Sequence, residues 1–174
     1  GVRVVSLGIE SGSNAILAKM GKRITTDVAR QAADDLHRFG FETNGLFMLG
    51  HREETPETMR QTIDFVRELS PKLSSFWVSF MAPYPGTPMF KMVEKRFPEI
   101  GDGTASDFSV LHTEGLYNEH YTSVNNKILE RGIRRAYRKF YARPKYFEKT
   151  LKRDANPDDF NRFVAGELDI LPAY

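Results

Sequence analysis

The sequence predicts an α/β protein whose first half alternates between strands and helices. Three runs rich in β-branched or aromatic residues, at 2–9, 41–49 and 75–81, are each followed by apolar residues at helical spacing. This alternation is typical of parallel strands joined by right-handed crossovers. The periodicity alone fits both an open sheet and part of a barrel.

The first unit opens with the strand at 2–9, a mostly apolar run suited to a buried position. A glycine–serine step ends it and leads into a short helix. The apolar face predicted for that helix consists of Ile16, Leu17 and Met20. Thr25 or Thr26 is then expected to cap a longer helix by accepting backbone N–H bonds, and Gly40 to end it. The buried stripe predicted for this longer helix consists of Val28, Ala32, Leu36 and Phe39.

The second unit has its strand at 41–49, which ends at Gly50. Thr55 is a suitable cap and Pro56 a suitable first residue for the helix that follows. The buried face predicted for this helix consists of Met59, Ile63, Val66 and Leu69. The third strand at 75–81 leads into a proline-rich loop at 83–88 and a short helix at 89–97.

The pattern changes after residue 97, which predicts two parts, 1–97 and a mostly helical C-terminal extension at 98–174. The segment 124–153 is helical in pattern until Pro144 interrupts it. Its predicted apolar face consists of Ile128, Ile133, Tyr137, Phe140 and Tyr141. A last short helix is predicted from Asn156, with Phe160, Phe163 and Val164 on it.

Composition limits the chemistry that the chain itself can carry. The chain has 174 residues, enough for a hydrophobic core, and none of them is cysteine. Disulfides and thiolate metal sites are therefore excluded from these residues. No metal ligand is predicted, because the four histidines share no close ligand spacing; they are His37, His51, His112 and His120.

Charge and hydropathy predict a cytoplasmic protein. No apolar run is long enough to cross a bilayer, and Gly1 leads into a strand-like segment without a signal-peptide pattern. The net charge of +2 gives no general argument for a nucleic-acid partner. From Lys127 to Arg153, however, 11 basic residues stand against 2 acidic ones. This segment is predicted to be a solvated helix face, and the alternative is a surface for an anionic substrate, a partner or RNA.

Three loops that follow the predicted strands carry candidate binding residues. They are the segments 8–13, 49–55 and 83–88. Each segment also has a simpler interpretation: in order, a strand-to-helix turn, a helix cap and a rigid turn. In the helix cap, Glu53 and Glu54 would lie at the positive end of the helix dipole. Because parallel strands place their carboxyl ends at one edge of a sheet, the three loops together predict a shared binding site.

The order of these motifs resembles that of the radical S-adenosylmethionine (SAM) superfamily, in the branch that often carries an N-terminal cobalamin-binding domain. The motifs are Gly-Ile-Glu-Ser-Gly at 8–12, Met-Gly-Lys at 20–22, Leu-Gly at 49–50 with Glu-Thr at 54–55, and Pro-Tyr-Pro-Gly-Thr at 83–87. In that branch they follow the fourth, fifth and sixth strands. The agreement covers roughly the first 95 residues, and the segment 140–144 also resembles a C-terminal feature of the branch.

The resemblance implies a partial (β/α)6 barrel, of which this chain would supply the C-terminal half, three β/α units, plus the helical extension. The family's Cys-x3-Cys-x2-Cys loop follows its first strand and would lie upstream of Gly1. The resemblance therefore implies three cofactors outside or beside this chain: SAM, a four-iron four-sulfur cluster with upstream ligands, and cobalamin in an upstream domain. The chain alone is expected to be inactive, and its uncovered sheet edges and apolar surface predict self-association.

The resemblance also assigns cofactor-binding residues. Glu10 and Ser11 resemble the strand-four residues that face SAM, and Lys22 resembles the basic residue that meets its carboxylate. Leu46, Met48 and Gly50 resemble the strand-five segment that packs on the adenine, and Glu54 belongs to the same motif. The strand-six loop near the adenine and the substrate would be formed by Pro83, Tyr84 and Gly86. At 51–53, His-Arg-Glu replaces the usual Phe-Pro-Gly, which leaves the shape of that loop open.

In the family, the reduced cluster binds the amino and carboxylate groups of SAM, and one electron cleaves a sulfur–carbon bond. The resulting 5′-deoxyadenosyl radical takes a hydrogen atom from the substrate. The cofactors carry this chemistry, while the protein orients the reactants and excludes water. No catalytic side chain is predicted; His51 is a candidate acid or base, although a single loop histidine is more often structural.

Within this branch the resemblance extends furthest to the anaerobic Mg-protoporphyrin IX monomethyl ester oxidative cyclases of (bacterio)chlorophyll biosynthesis. It implies a small-molecule substrate of the tetrapyrrole class and a reductant protein such as ferredoxin or flavodoxin. Several aromatic residues of the tail are candidates either for packing on a flat macrocycle or for the helix core. They are Tyr117, Tyr121, Tyr137, Phe140, Tyr141, Tyr146 and Phe147.

Three alternatives stay open. One is a cobalamin-dependent radical SAM methyltransferase. Another is a tRNA methylthiotransferase-like enzyme, which the basic segment suits but which would be expected to end in an OB-like strand domain instead of a helical tail. The third is a non-catalytic binding module made of half a barrel, which the absence of a cysteine loop upstream would favour.

Overall fold

The computed structural model describes residues 1–107 and 117–142, which form an α/β arrangement around a parallel three-stranded sheet. The strands are β1 (Val4–Glu10), β2 (Glu42–Leu49) and β3 (Ser75–Phe80), side by side in that order. Each strand is parallel to its neighbour and is joined to it through helices. The predicted fold class is therefore confirmed, because three consecutive β/α units are what half of the barrel requires.

Six helices accompany the sheet within the described ranges. They are α1 (Asn14–Lys19), α2 (Thr26–Arg38), α3 (Pro56–Leu69), α4 (Pro88–Arg96), α5 (Asn118–Tyr121) and α6 (Asn126–Tyr141). A short 3₁₀ turn, Pro98–Ile100, follows α4. The strands begin and end within two residues of the predicted runs.

Threonine caps determine where three of the helices begin. The side chains of Thr25, Thr55 and Thr87 each accept a backbone N–H bond from the residue three positions later. Pro56 and Pro88 occupy the first helical position, where their missing N–H costs no hydrogen bond. The predicted start at Thr55 is confirmed, and α4 begins one residue earlier than predicted because Thr87 caps it.

The sheet has a buried face and an open face. On the central strand, Phe47 and Leu49 are each 1% exposed and contact the helical layer, whereas Leu46 is 39% exposed on the other side. Trp77 of β3 is 45% exposed on that same open side. The alternation follows from the period of two residues in a strand.

Helix α6 joins the core that the sheet and α3 form. The ring of Phe76 on β3 packs against Tyr137, Phe140 and Tyr141, with centroids 4.7, 4.6 and 5.7 Å away. Gly132 lets α6 approach α3, since a Cβ there would lie 2.4 Å from Met59 Cε. The described aromatic residues of α6 therefore pack on the core, with Phe140 buried and Tyr137 and Tyr141 partly buried.

The predicted buried face of α2 is wrong by about one residue. Val28 and Phe39 are 54% and 69% exposed, whereas Ala29 and Ala33 are 5% and 0% exposed and belong to the core. Small alanine side chains let the helix backbone approach the sheet closely, which larger side chains at these positions would prevent. A prediction based on large apolar residues therefore selected the wrong face of α2 as the buried one.

Helix α6 shows a similar correction at its start, while its charged face agrees with the solvated interpretation. Ile128 is 37% exposed and Leu129, which the predicted stripe omitted, is fully buried. The outer face carries the exposed cations Lys127, Arg131, Arg134, Arg135 and Arg138. Lys139 instead reaches α3, where its Nζ lies 2.6 Å from Asp64 Oδ1.

Several predictions concern residues outside the described ranges. They are His112, the end of the 140–144 motif with Pro144, the aromatic residues Tyr146 and Phe147, the rest of the basic segment to Arg153, and the helix from Asn156. Among the helices that are described, none has the length and apolar character needed to cross a membrane.

Candidate functional site

The carboxyl ends of the three strands meet at one edge of the sheet. Glu10 ends β1, Leu49 ends β2 and Phe80 ends β3. Parallel α/β sheets bind their ligands at this edge. The fold therefore brings the three predicted loops together, as the sequence indicated.

Glu10 and Lys22 form an ion pair at the tip of β1. Lys22 Nζ lies 2.8 Å from Glu10 Oε1, and the two side chains are 40% and 16% exposed. Glu10 has a φ of 65°, and the register with β2 shifts between Gly8 and Glu10. A positive φ is uncommon for a residue with a Cβ, and such strain is concentrated at functional sites.

Gly8 leaves space beside this ion pair. A Cβ on Gly8 would lie 3.1 Å from Glu10 Oε1 and 3.6 Å from Lys22 Nζ. Gly8 pairs with Leu46, and Leu46 pairs with Trp77, so the three residues form one row across the open face. The result is a flat, partly apolar surface next to a charged pair.

Trp77 is a site-face residue that sequence reasoning missed. Its neighbours Phe76 and Val78 are buried, at 3% and 7% exposure, so the period of two residues places Trp77 on the open face. The alternation of inward and outward residues along the strand predicts this position for Trp77 once Phe76 is assigned to the core.

Met48 lies on the same face as Leu46, nearer the carboxyl edge. It packs in a small cluster with Met20 and the buried Met81 and Tyr121. Unbranched thioether side chains adapt to irregular spaces. This cluster joins the sheet to Tyr121 of the C-terminal extension.

Ser11 is completely buried and binds within the protein. Its Oγ lies 3.1 Å from Thr62 Oγ1, and the same threonine oxygen accepts the N–H of Gly12 at 3.1 Å. A Cβ on Gly12 would come within 2.6 Å of Phe65 Cβ, so the loop lies directly on α3. The described contacts of Ser11 therefore fasten the tip of β1 to α3, and its predicted role toward SAM stays a prediction.

Gly50, at the tip of β2, is fixed by its own conformation and by a residue of the C-terminal extension. Its φ is 89°, and a Cβ there would lie 2.4 Å from Asn118 Nδ2. Glycine tolerates both conditions. Sequence reasoning missed Asn118, because its contacts lie far away along the chain and no local pattern marks it.

His51 is a buried loop residue. Its Nδ1 lies 2.9 Å from Glu53 Oε2, and its ring packs edge-on against Tyr121, with centroids 6.2 Å apart. Burial lowers the pKa of His51 below its ordinary value of 6.5, although Glu53 opposes this shift. The imidazole is therefore neutral at neutral pH and supports the loop that replaces the usual Phe-Pro-Gly.

Glu54 is also buried, at 1% exposure, and directly precedes the Thr55 cap at the positive end of α3. Its Oε1 accepts a 2.6 Å hydrogen bond from the hydroxyl of Thr58, and its Oε2 has no hydrogen-bond partner among the described residues. Burial raises the pKa of Glu54 above its ordinary value of 4.5. A carboxyl group in this setting anchors the loop between Gly50 and α3.

The proline-rich loop is built on a tight turn. Thr87 donates its N–H to the carbonyl of Tyr84 at 3.1 Å, with Pro85 second and Gly86 third in the turn. Gly86 has a φ of 85°, which a type II turn requires at that position. Pro83 is buried, while Tyr84 is 43% exposed, so Tyr84 is the side chain of this loop that a ligand can reach.

A surface cavity of about 500 Å³ is lined mainly by residues of α2 and α3, with Gly12 of the first loop at its border. Two of its three arginines form ion pairs: Arg30 with Asp27 and Glu68, and Arg60 with Glu57 and Asp64. The strand edge is the candidate site because parallel α/β sheets bind their ligands there and because the three predicted loops meet at this edge.

The residues at the strand edge fit SAM but do not fit the cluster. Lys22 and Glu10 offer one charge of each sign, which suits the carboxylate and amino groups of SAM, and Gly8 leaves the space beside them. The chain has no cysteine, and the described residues contain no group of three His, Asp or Glu that could hold a metal ion.

Comparison with known proteins indicates the same superfamily as the motifs in the sequence. Residues 1–66 match the family model of the radical SAM superfamily. The chain is 30% identical over 151 residues, 87% of its length and 31% of the relative's, to an uncharacterized methyltransferase of Pyrococcus horikoshii.

Two further relatives carry names from tetrapyrrole chemistry. The chain is 28% identical over 97 residues to the bacteriochlorophyllide d C-12(1)-methyltransferase of Chlorobaculum tepidum, covering 55% of this chain and 21% of the relative. It is 29% identical over 98 residues to the anaerobic magnesium-protoporphyrin IX monomethyl ester cyclase of Rubrivivax gelatinosus, covering 56% of this chain and 16% of the relative. The chain thus spans less than a third of the length of each of these curated relatives.

Proposed function

We propose that this chain is the C-terminal half of the barrel of a radical SAM enzyme, together with part of a helical extension. The observation that carries the proposal is the Glu10–Lys22 ion pair beside Gly8, at the tip of a strand within the segment that matches the superfamily. When bound, SAM and a reduced four-iron four-sulfur cluster supply the radical chemistry of such an enzyme.

The residues of this chain bind and orient SAM in this proposal. Lys22 pairs with the carboxylate of SAM and Glu10 with its amino group, so the ion pair opens when the ligand binds. The row at Gly8 and Leu46 and the neighbouring Met48 contact the adenosine, and Tyr84 covers it from the proline-rich loop. These apolar contacts also keep water away from the reacting atoms.

The cluster ligands and the electron come from outside this chain in this proposal. Without a cysteine, the 174 residues require cluster ligands from elsewhere in a longer polypeptide. The chain on its own is therefore inactive, and a reductant protein of the ferredoxin or flavodoxin kind serves the complete enzyme. The complete enzyme works in the cytoplasm.

For the substrate we favour a tetrapyrrole, with the enzyme acting as an oxidative cyclase similar to the Mg-protoporphyrin IX monomethyl ester cyclases of (bacterio)chlorophyll biosynthesis. The supporting observation is that two relatives are named for tetrapyrrole substrates. The open face offers Leu46 and Trp77 as a partly apolar floor of suitable character for a flat ring.

A cobalamin-dependent methyltransferase is the second candidate. It is supported by two relatives that are named methyltransferases, one of which matches 87% of this chain. The two candidates differ in product: methyl transfer retains the ring count of the substrate, whereas oxidative cyclisation adds a ring.

The experiment uses the complete polypeptide that contains this chain, produced without oxygen and reconstituted with iron and sulfide. SAM, a reductant and Mg-protoporphyrin IX monomethyl ester are added, and 5′-deoxyadenosine and the tetrapyrrole products are measured by mass spectrometry. We expect 5′-deoxyadenosine together with a product that has gained a ring. A methylated product would favour the second candidate, and the absence of both cluster and 5′-deoxyadenosine would overturn the proposal in favour of a binding module.

A further inference from the structure

We infer that Asn118, a residue of the C-terminal extension, is a positioning residue that holds two loops of the SAM site in place. This inference rests on the proposed function, because the two loops are those assigned to SAM. The hydrogen bonds of the Asn118 side chain that the structure describes go to the backbone at the tips of β2 and β3.

Asn118 joins the ends of β2 and β3. Its Nδ2 donates to the carbonyl of Gly50 at 3.3 Å and to the carbonyl of Met81 at 2.9 Å. Gly50 begins the loop that replaces Phe-Pro-Gly, and Met81 leads into Pro83 and Tyr84. One amide group therefore sets the separation of two loops that meet the same ligand.

The environment of Asn118 gives this link little freedom. Its side chain is 1% exposed, and its Nδ2 occupies the place where a Cβ on Gly50 would stand, 2.4 Å away. A buried amide that loses its acceptors costs the full desolvation of its N–H groups. The side chain can therefore neither turn to water nor be replaced by a longer one without moving the tip of β2.

Neighbouring residues of the C-terminal extension also contact the loop that follows β2. The hydroxyl of Thr122 donates to the carbonyl of His51 at 3.0 Å, and that of Ser123 donates to the carbonyl of Glu54 at 3.4 Å. The ring of Tyr121 packs against the His51 imidazole. Each of these contacts is to the backbone or to a ring, so the extension fixes the path of the loop.

The test measures SAM binding to the complete, anaerobically reconstituted enzyme by equilibrium dialysis, well below the unfolding temperature of every variant. In Asn118→Asp, a carboxylate of the same shape faces two carbonyls that it cannot bond, so the two tips separate. We expect the Kd for SAM to rise about tenfold or more, which is the equivalent of one lost buried hydrogen bond. The KM for SAM should rise by more than kcat falls.

Two controls separate positioning from stability. Asn125→Asp makes the same chemical change on the same segment but keeps the cap of α6, so it should bind SAM like the wild type. Val66→Ala opens a cavity in the core without removing a hydrogen bond to either loop, and it lowers the unfolding temperature. If Asn118→Asp does not fold, Asn118→Ala, which buries no charge, carries the same expectation.

The outcomes are distinct. A rise in Kd that is specific to the Asn118 variants supports the inference. An unchanged Kd, or an equal rise in Val66→Ala, overturns it and leaves Asn118 as a residue of stability alone. A wild-type enzyme that binds no SAM would overturn the proposed function as well, so the two failures can be told apart.

Discussion

The hydroxyl of Ser11 lies 3.1 Å from the hydroxyl of Thr62, across 51 residues of sequence. Both side chains are buried, and the Thr62 oxygen also accepts the N–H of Gly12. This pair ties the tip of β1 to the middle of α3. The loop after β1, which resembles a ligand-binding loop in the sequence, thus also has a structural role, because it holds β1 against α3.

Replacing Thr62 tests this joint. Thr62→Val keeps the shape of the side chain but leaves Ser11 Oγ and the N–H of Gly12 without their partner, so the free energy of unfolding should fall by about 1–3 kcal/mol. Thr62→Ser keeps the hydroxyl, so its free energy of unfolding should fall by less. Urea denaturation followed by circular dichroism measures both; equal losses in the two variants would mean that the hydrogen bonds contribute nothing.

The buried carboxyl group of Glu54 predicts a pH dependence of stability. Because burial raises its pKa above 4.5, the folded protein holds this proton more tightly than the unfolded chain does. The protonated form is thus favoured by folding, and that contribution is present below pH 4.5 and lost as the pH rises through the higher folded-state pKa. Glu54→Gln should therefore gain stability relative to the wild type as the pH rises, by about 1.4 kcal/mol for each unit of pKa shift.

Glu57 is the matched control for this measurement. Its side chain bonds to Arg60, which holds the pKa of Glu57 below its usual range. Glu57→Gln should therefore lose stability relative to the wild type as the pH rises from acid, and the effect should be small because the pair is in water. Equal slopes for the two variants between acid and neutral pH would contradict the assignment of Glu54.

The open face of the sheet predicts self-association of the isolated 174-residue chain. Trp77 and Leu46 are 45% and 39% exposed there, and within the described residues the outer edges of β1 and β3 pair with no further strand. The double variant Leu46→Ser, Trp77→Ser should shift the chain toward monomer in sedimentation velocity. Phe39→Ser removes a side chain that is 69% exposed on α2 and should leave association unchanged. A wild-type chain that sediments only as a monomer would contradict this prediction.

The sequence predicted those features that depend on neighbours along the chain. The cap at Thr55, the proline at the first turn of α3 and the buried stripe with Met59 and Val66 all follow from spacings of a few residues. The alternation of strands and helices predicted the parallel sheet, and with it the edge where the candidate loops meet.

The features that the sequence did not predict depend on three-dimensional packing. The face of α2 is decided by how closely Ala29 and Ala33 approach the sheet, which hydrophobicity alone does not report. The left-handed φ of Glu10 and the two backbone bonds of Asn118 arise from contacts between distant parts of the chain. Such features become visible only when the strand tips are placed next to one another.

The most direct test of the account compares Lys22 with Arg23 in the complete enzyme. Lys22 pairs with Glu10 at the strand tip, whereas Arg23 is the adjacent exposed cation. The amount of 5′-deoxyadenosine formed from SAM under reducing, anaerobic conditions is measured for Lys22→Met, Arg23→Met and the wild type. If Lys22 binds the carboxylate of SAM, Lys22→Met should lose most of the product at limiting SAM and regain part of it at high SAM. Arg23→Met should behave like the wild type. Equal product from the Lys22→Met and wild-type enzymes at limiting SAM would contradict the assignment of this edge as the SAM site.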